Sequence, residues 1–509
     1  MYLRSKPGAF CEQLHIQLER IKALETNLAD NKGVGVSTRA TSHGTIRSIA
    51  NSPGAITNRL IWVMAVACGL AEANLIYAQP LLADMGRSFA ASINQIGLTN
   101  TLSQFGYAVG LLLIAPLGEK YNQRLLIVMT LGAAALALAL MAVAPKVSLL
   151  IIAGGIVGLT SIIPELIVPF AASLALPGER GRIVGMLLCG LFFGAPLASV
   201  LSGFVGEHFG WRTMYWIAAA IMVILAFVLR YLLPDDRTAK KEVSYLQLLG
   251  SLWELLRSER VLQEISILGI LVYGAFSAFW VTLSFSLEAP PYHYGSDVVG
   301  IFGLVGIGGA LAALFVGKFT DHRDARYANG VALLVTLLSF VIMWLADQWL
   351  IGLIIGALLL SVGVQSSQVA NEARIYHLHP MAWNRLNTIY IFLFSIGGSL
   401  GSTLGTLGWS IAGRNGAYGI ACFMLVVASG FYILYSKHLR EIWHITKRNS
   451  AHGIACCMLI IVLGFYILRI RVEENKALES MYMERICIRQ ITMETLTHEP
   501  IWLNSMKEK

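Results

Sequence analysis

The chain has 509 residues, 56% of them hydrophobic and only 13% charged, with a formal net charge of +8. Ordinary soluble domains carry about 25% charged residues, so this composition, with a mean hydropathy of +0.65, excludes a soluble globular fold and specifies a polytopic membrane protein. The positive charge does not signal nucleic acid, because the basic residues fall mostly in loops on one side of the predicted spans, as membrane topology requires.

Residues 1–58 are polar and predict a soluble extension with no cleavable signal peptide. Leu14, Leu18, Ile21 and Leu28 form one helical stripe, and a Gly-, Ser- and Thr-rich linker follows to Asn58. Twelve apolar runs long enough to cross a bilayer come next, at about 60–82, 95–114, 125–144, 148–172, 183–205, 213–230, 266–288, 299–316, 327–346, 350–373, 388–409 and 416–435. In lipid every backbone polar group must be satisfied within its own segment, so these spans are helices. They predict an N-terminal six-helix bundle over 59–230, a central loop over 231–264 and a C-terminal six-helix bundle over 265–436. Within the central loop, Tyr245 to Leu262 has the pattern of an amphipathic surface helix.

The loops after spans 2, 4, 6, 8 and 10 carry Lys120, Arg124, Arg182, Lys240, Lys241, Arg260, Arg326 and Arg374, whereas the opposite loops carry little beyond Arg87, Lys146, Arg212 and Arg414. That asymmetry predicts a cytoplasmic N-terminus in a cell membrane. After span 12 the chain repeats itself. Arg414–Leu434 recurs as Arg448–Leu468 with 14 identities in 21 positions, a tandem duplication of the last span that predicts an extra hydrophobic helix near 449–468 before a polar tail to 509.

Polar stripes run along four of the spans. Span 1 carries Glu72, Asn74, Tyr77 and Gln79; span 2 carries Asn100, Gln104 and Tyr107; span 7 carries Tyr273, Ser277 and Trp280; span 10 carries Ser361, Gln365 and Gln368. Each amide or hydroxyl has the alternative role of an interhelical hydrogen bond. Glu72 near the middle of span 1 and Glu165 after Pro164 in span 4 are sharper signals, because an ionisable group at that depth is costly and usually functional. Burial favours the protonated carboxyl, as proton coupling requires. No Lys or Arg lies inside the twelve spans, which predicts a neutral or cationic lipophilic substrate rather than an anion.

Two polar loops resemble one family. Ala115-Pro-Leu-Gly-Glu119-Lys120-Tyr-Asn-Gln-Arg124 and, about two hundred residues later, Gly317-Lys318-Phe-Thr-Asp321-His322-Arg323-Asp-Ala-Arg326 are similar to the loop motif of the major facilitator superfamily, found between spans 2 and 3 and again between spans 8 and 9. The first copy has Ala115 for the leading Gly and Glu119 for Asp; the second keeps Gly317 and Asp321. The resemblance implies an all-α membrane protein with the facilitator fold, two pseudo-symmetric six-helix bundles, here with the extra C-terminal helix. It also implies a conformational latch formed by Glu119, Lys120, Arg124, Asp321 and Arg326, with Glu119 approaching Arg385, Asn387 and Thr388 at the start of span 11 and Asp321 approaching span 5 near Arg182. In span 5, Gly190, Gly194 and Pro196 resemble the glycine–proline motif of the drug:proton antiporter branch, although Ala195 intrudes before the proline.

These readings converge on a secondary transporter that exports a small molecule by alternating access in exchange for protons. It is expected to be monomeric, without cofactor, metal or nucleic acid. The seven cysteines show no metal spacing, no G-x-x-x-x-G-K-[ST] occurs, and the Gly303–Gly309 cluster lies in an apolar helix outside any βαβ context. A sugar or metabolite carrier of the same fold is the alternative within the class, and a non-transporting sensor or decayed gene product the alternative outside it. No nucleophile–base motif points to an enzyme.

Overall fold

The structure is a computed structural model, and it describes residues 57–176, 179–234, 245–320, 325–346, 349–378 and 383–435. The N-terminal stripe, the loop containing Asp321 and the duplicated helix near 449–468 lie outside these residues.

Among the described residues, ten helices are long and apolar enough to cross a membrane. The first six spans are Asn58–Phe89, Ile93–Gly118, Gln123–Val143, Val147–Leu174, Arg180–Phe209 and Trp211–Leu232. Spans 7, 9 and 10 are Arg260–Glu288, Ala325–Leu345 and Leu350–Tyr376. Span 8 is divided into Ser296–Phe302 and Val305–Thr320. One continuous helical stretch, Trp383–Tyr435, holds both remaining spans. At 1.5 Å per residue its 53 residues would measure about 80 Å, against a hydrocarbon core of about 30 Å. It reverses at Ala412 and Gly413, where Gly413 takes a positive φ of 56°. Gly408 and Gly416 then lie against each other's carbonyls, which a straight helix could not allow. Spans 11 and 12 are thus separate crossings, which makes twelve among the described residues.

Local chemistry sets the helix ends. Thr57 caps span 1, Ser92 and Gln95 form a reciprocal capping box at the start of span 2, and Asn122 caps span 3. Span 4 breaks at Ser161–Ile162 because Pro164 brings no N–H to the helical ladder, and the break leaves Glu165 in the first turn of the second segment.

Each half has its own core. One apolar cluster gathers Met64, Leu81, Leu131, Phe170, Met214 and neighbours from spans 1 to 6, and a second gathers Phe279, Phe340, Leu360 and Leu425 from spans 7 to 12. Glycines bring backbones together inside each half, where lipid offers no hydrophobic drive and close packing must supply cohesion. Gly190 and Gly194 of span 5 lie against Ala65 and Gly69 of span 1, and Gly397 and Gly401 of span 11 against Ile270 and Gly274 of span 7. Outward faces carry large apolar side chains such as Leu136, Phe227 and Phe423.

The amphipathic helix of the connector runs over Tyr245–Ser258, shorter than the pattern suggested, and span 7 starts two residues later at Arg260. Leu252 is buried with Leu262, Ile375, Leu386 and Tyr390 of the C-terminal half, while the Tyr245 hydroxyl donates to the Leu113 carbonyl of span 2 at 3.0 Å. The connector helix therefore touches both halves at the face that bears the basic loops.

Candidate functional site

A cavity of about 220 Å³ lies between the halves. Its wall includes Glu72, Gln79, Gln104, Tyr107, Glu165, Tyr273, Trp280, Gln365 and Gln368, drawn from spans 1, 2, 4, 7 and 10. Glu72 and Glu165 thus share one space, and the Tyr107 hydroxyl reaches Glu165 Oε1 at 3.4 Å. Among the described residues, no Lys or Arg belongs to this wall.

Helix geometry explains which predicted residues reach the cavity. At 100° per residue, positions i, i+3, i+4 and i+7 share a face. Glu72, Leu75, Ile76 and Gln79 obey this and line the cavity, as do Tyr273, Phe276 and Trp280. Asn74 is two residues from Glu72, on the far side of the helix, and its amide points to Met222 Sδ at 3.4 Å. Tyr77 is five residues on, and its carbonyl accepts from Ser202. Asn100 donates to Ser402 Oγ at 3.1 Å, across the interface between the halves. Ser277 and Ser361 share the angular face of their stripes but are buried in helix contacts, Ser361 with its backbone against Gly309. These five predicted cavity residues are absent from the cavity wall.

Sequence reasoning missed other parts of the wall. Phe276 stands three residues after Tyr273 and could have been read from the stripe. Phe394 and Ser395 of span 11, and Ser199 of span 5, carried no pattern of their own. Tyr273 stacks on Phe394 with ring centroids 4.0 Å apart and on Phe276 at 5.7 Å, so an aromatic shelf faces the two carboxyls.

The cavity is shut on the side away from the basic loops. Asn94 donates to Ser410 at 3.1 Å, Thr101 to Ser402 at 3.0 Å, and Ser399 to the Thr101 carbonyl at 3.1 Å, a polar seam between spans 2 and 11. Spans 5 and 8 close the other flank, with Gly203 against Ser296 and Gly300 and Gly303 against Ser199. Arg87 at the end of span 1 pairs with Glu288 at the end of span 7 and with Asp84. Toward the basic face a smaller pocket of about 80 Å³ continues past Glu165 to Gly118, Gln123, Leu252, Arg385 and Thr388. The halves therefore meet through this seam at one end and leave a small pocket between them at the other.

A family model described as Major Facilitator Superfamily matches residues 61–371. The chain belongs to the major facilitator superfamily. The uncharacterized transporter YgaY of Escherichia coli O157:H7 is 37% identical to this facilitator over 357 residues, 70% of the chain and 90% of YgaY. A Pasteurella multocida protein named "Probable sugar efflux transporter" is 24% identical over 356 residues, 68% of the chain and 86% of that protein. Among solved structures, a bacterial homolog of the human lysosomal transporter Spinster, in an inward-facing and unoccupied conformation, superposes with a TM-score of 0.61 at 16% identity, covering 74% of the chain and 95% of the homolog. The facilitator is thus a multi-pass membrane transporter.

The motif residues of the facilitator have varied surroundings. Glu119 ends a short 3-10 turn, Ala115–Glu119, after span 2. Lys120 stands 5.8 Å from the Tyr121 ring, and Arg124 donates to the Arg230 carbonyl of span 6. Arg326 does not cross to the other half in the contacts it makes with Glu264, at 2.9 Å; Arg374 meets the same carboxylate at 2.9 Å. Asp321 lies outside the described residues. In span 5, Gly190 and Gly194 serve the packing on span 1, whereas Pro196 lines the cavity.

Proposed function

We propose that the transporter exports a small neutral or cationic lipophilic molecule in exchange for protons. The observation that carries this reading is the shared cavity: Glu72 and Glu165 face an aromatic shelf of Tyr273, Phe276 and Phe394 in a wall without Lys or Arg. A carboxylate held away from water is costly unless it is protonated or paired with a cation. Substrate and proton then compete for the same acid, and competition for one site is the simplest basis of exchange. The aromatic faces attract a cation further. Glu72 is the main coupling residue and Glu165, with Tyr107 beside it, the second.

In this reading the halves, residues 59–230 and 265–436, rock about the cavity, and the loop around Glu119 latches against Arg385 and Thr388 when the basic face closes. The placement of Gly118 and both span 11 residues on one small pocket supports that contact. The excess of Lys and Arg in the loops of that face supports a cytoplasmic assignment for it, and for the N-terminus, in a bacterial inner membrane.

Replacing Glu72 by Gln should abolish uptake of a test cation into inverted vesicles driven by a pH gradient, while leaving the protein in the membrane. Undiminished pH-driven transport by that variant would remove Glu72 from the mechanism. A sugar carrier is the second reading. Four glutamines, Gln79, Gln104, Gln365 and Gln368, line the cavity and suit hydroxyl groups, and one relative bears a sugar-efflux name. Competition by sugars, and none by lipophilic cations, would select it.

A further inference from the structure

The contact that the sequence pattern placed at the basic face, an acid of one half meeting the start of a helix in the other, has a counterpart at the opposite face. Glu207, near the end of span 5, accepts from the Ser296 backbone N–H at 3.0 Å and from its hydroxyl at 3.2 Å. Ser296 opens span 8 and is only 3% exposed. The neighbouring Gly295 leaves room for the carboxylate, since a Cβ there would collide with it. Ser296 Oγ also reaches the Gly203 carbonyl at 3.3 Å, so the same serine joins both turns of span 5 to span 8. The Arg87–Glu288 pair links spans 1 and 7 on this face, and Asp84 pairs with the same Arg87.

We propose that Glu207 is a positioning residue for alternation: its carboxylate holds Ser296, and so the spans 5 and 8 flank, shut at the face away from the basic loops. The physical argument is the buried donor. While the flank is closed, the Ser296 N–H is shielded and needs an acceptor, and hydrogen bonds to a charged group are stronger than neutral ones. When the flank opens, water can reach the N–H and the carboxylate alike. The bond therefore stabilises the closed state by a modest margin, and it can be given up on each cycle.

The test measures opening directly and needs neither substrate nor protons, so it stands apart from the proton-exchange reading. Ser402, buried in the seam between spans 2 and 11, becomes accessible only when this end parts. In purified full-length protein carrying Ser402→Cys, reconstituted in nanodiscs, the labelling rate by a bulky polar maleimide is compared with that of the parent chain lacking this change. Adding Glu207→Ala should raise the rate about three- to tenfold. Glu207→Gln, which keeps a carbonyl acceptor, should raise it less. Ser296→Ala combined with Glu207→Ala should bring little beyond Glu207→Ala itself, apart from the lost hydroxyl bond to Gly203, because the carboxylate acts through that residue. A labelling rate unmoved by both Glu207 substitutions would overturn the proposal. Glu207→Gln supplies the comparison if the alanine variant does not fold.

Discussion

Arg326 of span 9 and Arg374 of span 10 share one carboxylate, Glu264 of span 7, each at 2.9 Å. Glu264 is 5% exposed. Three helix ends of the C-terminal half are thereby joined at the basic face, and the motif arginine expected to latch the halves is engaged within its own half.

That geometry predicts the cost of removing the acid. Glu264→Leu leaves two largely buried guanidinium groups without their carboxylate. Breaking a buried pair by deleting one partner costs about 3–5 kcal/mol. Thermal unfolding of the purified variant should show a markedly lower midpoint, and an unchanged midpoint would mean that water already screens the cluster.

The polar seam offers a way to stop the cycle. The Thr101 and Ser402 side-chain oxygens are 3.0 Å apart, and both residues have short side chains suited to a disulfide once changed to cysteine. Oxidation of Thr101→Cys/Ser402→Cys should reduce transport at least about tenfold by holding this end closed, and reduction should restore it. Full transport by the oxidised, verified cross-linked protein would contradict alternation through this seam.

Tyr107→Phe removes a hydroxyl that donates to Glu165 through a long bond of 3.4 Å. The loss of such a contact corresponds to roughly a threefold change in rate, with expression unaltered. Transport kinetics on reconstituted protein would detect it. A null result would relegate Tyr107 to lining the wall.

Packing glycines should divide into two classes. A side chain at Gly401 would overlap the Gly274 backbone, and overpacking of this kind typically costs about 1–3 kcal/mol. Gly430 has nothing near the position of an added Cβ, so Gly430→Ala should be neutral or should stabilise its helix by up to ~1 kcal/mol. Unfolding midpoints of Gly401→Leu and Gly430→Ala compare the two directly.

The architecture was legible because a span is long and its apolar signal accumulates over some twenty residues. The two loop motifs and the polar stripes that carry Glu72, Gln79, Gln365 and Gln368 follow from local pattern. What sequence could not supply was rotation. Asn74 and Glu72 look alike as polar intrusions, yet a separation of two residues sends one to Met222 and the other to the cavity. Asn100 likewise belongs to the seam, because its partner Ser402 is 302 positions away and no periodicity announces it. Arg87 and Glu207 read as ordinary loop-side charges until the helices that carry them are brought against spans 7 and 8.

Close backbone contact between spans 7 and 11, through Gly274, Gly397 and Gly401, has a mechanical consequence. Two rods seated that tightly cannot slide or splay separately without losing their contact surface. In the proposed alternation, span 11 would therefore carry span 7 with it as its seam with span 2 comes apart, and the stroke would be shared by the whole C-terminal half. Spin labels placed on spans 7 and 11 should keep one fixed separation in every state of the cycle, while labels on spans 2 and 11 should report two.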